Sequence, residues 1–120
     1  MTLFDWLLIG HFVGDWAFQN EWMVRHKQSA LFNRAVFVHC AVYTAVMLFT
    51  LYLQSTDFSA YLYWAFGAVI FVTHWLIDAP NLAAYWMRFF QQSNVLFVRI
   101  VVDQILHLVI LGFLIEFLLV

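Results

Sequence analysis

Ionisable residues recur in this chain at one spacing. His11 is followed four residues later by Asp15 and four after that by Gln19; His74 and Asp78 repeat the step, Asp103 and His107 give it in reverse, and His39 adds one more imidazole. Side chains four apart project from the same face of a helix, so each pair can offer a nitrogen and an oxygen to one point. Four imidazoles and three carboxylates are more than a single tetrahedral zinc needs. They suit one metal with outer carboxylates, or two metals bridged by an aspartate. Mixed nitrogen and oxygen ligands favour zinc, manganese or iron over calcium or cuprous copper, and zinc is the first choice for a divalent ion held this way.

The elements that position these groups must lie in lipid. Of 120 residues, 66% are hydrophobic and 10% charged, which for so short a chain indicates an integral membrane protein rather than a soluble core. A span needs about 20 apolar residues, so the expected fold is all-α: one integral membrane domain over residues 1–120, a bundle of four transmembrane helices. The crossings are expected near 3–21, 35–53, 60–78 and 95–120. Pro80 and Asn81 break the third, and an interfacial helix over about 81–92 follows, with Trp86, Phe89 and Phe90 toward lipid. The apolar start lacks the basic leader of a signal peptide and is taken as the first crossing. Cys40 is the single cysteine, so no internal disulfide forms, and a net charge of −2 speaks against a nucleic-acid partner.

Basic residues near span ends stay on the cytoplasmic side. Arg25, Lys27 and Arg34 fall in the first connector, Arg88 in the second and Arg99 just inside the last crossing, which puts both termini outside. His39, His74 and Asp78 then lie near the cytoplasmic ends, Asp15 and Asp103 a turn or two deeper, and His11 and His107 near mid-bilayer. All seven share one half of the membrane and can meet in an inward-facing cavity. The first and third crossings share direction and the His-x-x-x-Asp step, the signature of two parallel helical-hairpin repeats.

A charged residue at the centre of a span costs about 2.5 to 3.5 kcal/mol on insertion scales, so three unpaired carboxylates would approach ~10 kcal/mol. Protonation, His–Asp hydrogen bonds or a bound cation must neutralise them. A purely structural polar network is the competing reading of the cluster. Gly10 and Gly14 form a small-residue step that brings another helix close. Gln19 is a candidate for orienting water or substrate, and Gln104 for donating between helices. Arg99, four residues before Asp103, either pairs with it or captures an anionic, phosphate-bearing substrate.

His11, Gly14, Asp15, Trp16, Gln19, Trp22, Met23, Lys27, His39, the His74–Asp78 step and Asp103-Gln104-x-x-His107 together resemble a family of small bacterial membrane proteins catalogued as domain of unknown function thirty-three-oh-seven. In that pattern a basic residue often follows the third-helix Asp by about a turn; Asn81 and Leu82 stand there in this chain. The resemblance implies a multi-pass protein of the bacterial cytoplasmic membrane and brings no activity with it. A looser similarity, in the placement of His and Asp within short helices, is to membrane-bound metal-dependent hydrolases.

The function expected from these residues is metal-dependent hydrolysis of a lipid-borne ester or phosphoester. His11, His39, His74 and His107 serve as ligands, Asp15, Asp78 and Asp103 as ligands, bridges or general base, and Arg99, Gln19 and Gln104 support substrate. Membrane lipid is the expected partner, alongside a second copy of the chain or another membrane protein. One alternative is a metal-ion or proton pathway, against which the outer halves of the second and fourth crossings speak, with only Thr44, Thr50, Tyr52 and Glu116 as polar groups. The other is a non-enzymatic assembly protein.

Overall fold

A computed structural model of the chain describes residues 1–54, 57–92 and 95–119. Those residues form helices and no strands. Ser55 and Thr56, between the second and third expected crossings, and Val120, the last residue of the fourth, lie outside them.

The first helix, α1, covers Leu3–Phe12 and continues as a π-helical turn over Val13–Ala17. Its start is set by a capping box, in which Thr2 accepts from the Asp5 amide and Asp5 accepts from the Thr2 amide. A short α2, Glu21–His26, begins where the Asn20 side chain accepts from the Met23 amide. Next come α3, Arg34–Gln54, and α4, Ala60–Asp78. After Pro80, Asn81 takes the left-handed conformation (φ 57°) and caps α5, Leu82–Phe89, the break expected from the Pro-Asn pair. The last helix, α6, Leu96–Leu114, also ends in a π-helical turn, Ile115–Leu119.

Among the described residues, three helices are long and apolar enough to cross a membrane: Arg34–Gln54, Ala60–Asp78 and Leu96–Leu119. The first element differs from the crossing expected over 3–21. Its helical run stops at Ala17, about 22 Å at 1.5 Å per residue against a hydrocarbon core of ~30 Å, because Asn20 caps a separate helix instead of extending the first.

α1 and α4 each pack against both α3 and α6. The exterior is apolar: Ile9, Phe49, Leu53, Trp64, Val72, Phe97, Phe113 and Phe117 are among many large hydrophobic side chains facing outward. The polar side chains buried inside are His11, Asp15, His39, His74, Asp78, Gln104 and His107. Such an inverted distribution is what lipid, rather than water, selects. The rest of the interior is an aliphatic and aromatic cluster of Leu7, Tyr43, Met47, Leu51, Phe66, Ile70, Leu111 and Leu114. Where α1 crosses α3, a Cβ on Gly14 would lie 3.0 Å from Tyr43 Cδ2 and one on Gly10 2.6 Å from Thr50 Oγ1. The small-residue step therefore sets the approach of the two helices.

Candidate metal centre

Each helix supplies its share of the buried cluster from one face. On α4, His74 and Asp78 are one turn apart; on α3, His39 is one turn from Tyr43. Asp15 comes from the π-helical turn of the first element, whose wider winding is found often at functional sites. The turn offers Asp15 to α3 rather than to His11 on its own helix.

Asp15, His39, His74 and Asp78 converge on one point, with ligand atoms all within 4.8 Å of one another. His39 Nε2 lies 3.1 Å from Asp15 Oδ1 and 3.1 Å from Asp78 Oδ2. His74 Nε2 lies 3.3 Å from the same Asp15 oxygen and 3.2 Å from the same Asp78 oxygen. The two imidazole nitrogens are 2.9 Å apart. Four ligands about 2.05 Å from a tetrahedral zinc would be separated by about 3.3 Å, close to these edges. Only a nitrogen carrying a proton can hydrogen-bond within such a group, and the carboxylates only accept. A cation satisfies all four lone pairs at once. The opposite nitrogens, Nδ1 of His39 and of His74, are buried without a hydrogen-bond partner among the described residues.

A second set, Asp15, Asp103 and His107, shares Asp15 with the first. His107 Nδ1 donates to the Asp103 backbone carbonyl at 2.8 Å, which leaves Nε2 as the nitrogen with the lone pair. That Nε2 is buried and stands 3.5 Å from Asp78 Oδ1, also buried; neither has a hydrogen-bond partner among the described residues. These are acceptors facing acceptors. A shared Asp between two such sets is the arrangement of a bridged pair of cations.

His11 stands outside both sets. A carboxylate can only accept, so the Gln104 amide nitrogen faces Asp15 Oδ2 at 2.9 Å, and its carbonyl is turned to accept from His11 Nε2 at 2.7 Å. His11 Nδ1 then accepts from the Tyr43 hydroxyl at 2.6 Å. This directed chain, Tyr43 to His11 to Gln104 to Asp15, spends both ring nitrogens of His11 and fixes the Asp15 carboxylate. Tyr43 also stacks on His74 with ring centroids 4.1 Å apart.

Lys27 enters from the connector after α2, and its Nζ donates to Asp78 Oδ2 at 3.1 Å. Asn33 holds that connector, donating to the carbonyls of Lys27 and Ala30 and accepting from the Val36 amide at the start of α3. Trp75 donates to the Leu31 carbonyl from α4. Burial works against the charge on Lys27, but the carboxylates of Asp78 and Asp15 outweigh it and hold its pKa above the ordinary lysine value.

The remaining expected residues line a cavity of about 470 Å³ beside the cluster. Gln19 and Arg99 are there, with Lys27, Asp103 and Gln104 at its border with the metal sets. Arg99 makes no ion pair with Asp103 among the described residues; the Asp103 carboxylate accepts from Gln104 at 3.2 Å instead. Lys27 and Tyr43 are the site residues that the spacing argument missed. Tyr43 is legible as the residue one turn beyond His39. Lys27 sits in a connector without periodicity, and only its place in the family pattern pointed to it.

The arrangement spans the region that a family model for Protein of unknown function (DUF3307) matches, residues 3–120. The chain belongs to that family. Both candidate ligand sets of this DUF3307 protein, and the Lys27, Gln104 and Tyr43 side chains around them, lie inside the matched region. No curated protein and no solved structure is found to match it.

Proposed function

We propose that this is a divalent-metal enzyme of the bacterial cytoplasmic membrane, which hydrolyses an ester or phosphoester borne by a lipid. The observation that carries the reading is the convergence of His39 Nε2, His74 Nε2, Asp15 Oδ1 and Asp78 Oδ2 at 2.9 to 3.3 Å across five contacts. Those spacings fit a tetrahedral ion of zinc size. His39 and His74 supply nitrogen, Asp78 oxygen, and Asp15 bridges to a second position beside His107. When bound there, a divalent ion supplies Lewis acidity and a water acidified to near neutrality. Asp103, bordering the cavity, is placed to take the proton of an attacking water and return it to the departing alcohol as the ester bond breaks. Gln104 and His11 hold Asp15 in place, as outer partners of metal ligands do.

In this reading the first element completes a fourth crossing by tilt of its neighbours and local thinning of the bilayer, both termini lie outside, and α1–α3 and α4–α6 are parallel hairpin repeats. The His-x-x-x-Asp step on α1 and α4 supports the repeat; the positive connectors support the orientation.

The test begins with elemental analysis of the detergent-purified protein beside a His74→Ala, Asp78→Ala double variant. About one or two equivalents of zinc, manganese or iron in the parent and none in the variant is the expected result, with hydrolysis of lipid-borne esters lost on chelation and restored by one divalent metal. A parent that holds no metal and takes none up would overturn the metal centre in favour of a structural polar network. A chelated protein that still turned over would remove the metal from the chemistry.

A further inference from the structure

The cavity beside the cluster has its own character. At about 470 Å³ it falls in the range of small-molecule sites, about 300 to 1,000 Å³. Its lining combines polar Lys27, Arg99 and Gln19 with apolar Trp16, Leu96 and Ile100. Arg99 is exposed and has no ion-pair partner among the described residues, in contrast to Lys27, which is spent on Asp78. Gln19 Oε1 is buried with no hydrogen-bond partner among the described residues. Leu96 and Arg99 belong to the first turn of α6, which opens without a side-chain cap, so the positive end of that helix adds to the field of the guanidinium. Trp16, Leu96 and Ile100 are also exposed at the protein surface, so the apolar part of the lining continues to the outside.

We infer that this cavity, assembled from Arg99, Gln19, Lys27 and the apolar lining of Trp16, Leu96 and Ile100, binds the phosphate headgroup of an amphiphile whose hydrocarbon tail leaves along that lining. A guanidinium free of carboxylate partners is suited to bidentate phosphate recognition. The unpartnered Gln19 carbonyl accepts from a hydroxyl next to the phosphate. The volume holds a headgroup and not a whole lipid, and the open apolar side removes the need for more. Asp103 borders the same space and would repel an anion. In this respect the inference rests on the metal reading, since a cation held at Asp15 and His107 would offset the charge of the neighbouring Asp103 carboxylate and leave the cavity net positive.

The test is calorimetric titration of the detergent-purified protein, before and after chelation, with metal content measured on the same samples. The probes are monomeric dihexanoyl-phosphatidate, dihexanoyl-glycerol and inorganic phosphate. Binding of the phosphatidate, at least tenfold weaker for the uncharged glyceride and about tenfold weaker in Arg99→Gln with partial recovery in Arg99→Lys, is expected. Chelation should weaken it further if a metal is present. Inorganic phosphate binding as tightly as the phosphatidate would overturn the amphiphile and leave a free-phosphate site. Equal binding to parent and Arg99→Gln, or none to either, would overturn the site. Because Arg99 is exposed, loss of folding does not confound its variants. A metal-bearing protein that ignores the phosphatidate sinks this inference alone, and a metal-free one that binds it through Arg99 sinks only the metal reading.

Discussion

Two ends of one buried seam meet in this protein and are chemically opposite. At one end α1, α3, α4 and α6 contribute Leu7, Met47, Leu51, Phe66, Ile70, Leu111 and Leu114; at the other the same helices contribute His11, His39, Tyr43, His74, Asp78, Gln104 and His107. Burial is the same at both, with Leu7, Met47 and Phe66 at 0% exposure and His11 and His39 also at 0%. In lipid the apolar end holds the helices together by van der Waals packing alone. The polar end holds them through hydrogen bonds and converging acceptors that ask for a cation. Cohesion and chemistry are divided along the helix axes, and the division can be probed residue by residue.

Phe66→Ala should have the largest effect of the probes outside the metal ligands. About 3 kcal/mol of stability is expected to go, near the low end for a buried aromatic because only the packing part applies in a membrane. Metal bound per folded chain should not change. Unfolding of the detergent-solubilised protein and elemental analysis together read both quantities, and a fall in metal content would break the proposed division.

The two glycines sharpen it. Gly14→Ala places a methyl 3.0 Å from Tyr43 Cδ2 and 3.3 Å from the Tyr43 backbone, which cannot retreat, so a loss of about 1 to 3 kcal/mol should come with weakened metal binding as Tyr43 is pushed from its stack on His74. Gly10→Ala meets the Thr50 side chain, away from the cluster. Its cost should be similar in stability and absent in metal affinity, as competition with a metal-responsive dye would show.

The smallest expected effect is that of Tyr43→Phe, which keeps the stacked ring and removes the hydroxyl that His11 accepts. About 1 kcal/mol of stability should go with it, and metal affinity should fall by about tenfold through the loosened Gln104–Asp15 contact. Unchanged affinity would mean that the hydrogen-bond chain orients nothing.

Much of the polar end was legible in the sequence. His74 and Asp78, and Asp103 and His107, share helix faces by spacing alone, and only a partnered or functional group tolerates burial in lipid. The apolar end was less legible. In a membrane the outward face is as hydrophobic as the inward one, so Phe66 and Leu111 do not differ in type from the exposed Val72 and Val109. The seam becomes readable when the histidines are counted as inward positions: His39, Tyr43, Met47 and Leu51 follow one another at single-turn steps. The π-helical turn at Val13–Ala17 leaves no mark in the hydrophobic periodicity. Arg99 and Asp103 have the spacing of an ion pair, but Gln104 takes the carboxylate and leaves the guanidinium to the cavity. Lys27 depends on the path of a connector that Asn33 and Trp75 fold into place.

Asp15 belongs to both ligand sets and is held by Gln104, which lies near the other end of the chain. That separation has a consequence in time. During synthesis Asp15 leaves the ribosome first, then His39, then His74 with Asp78, while Gln104 and His107 arrive only with the final helix. A nascent chain therefore carries the first carboxylate of the cluster well before Gln104, which orients it, is made. A chain without α6 would gather Asp15, His39, His74 and Asp78 but lack the Gln104 amide that fixes the other Asp15 oxygen.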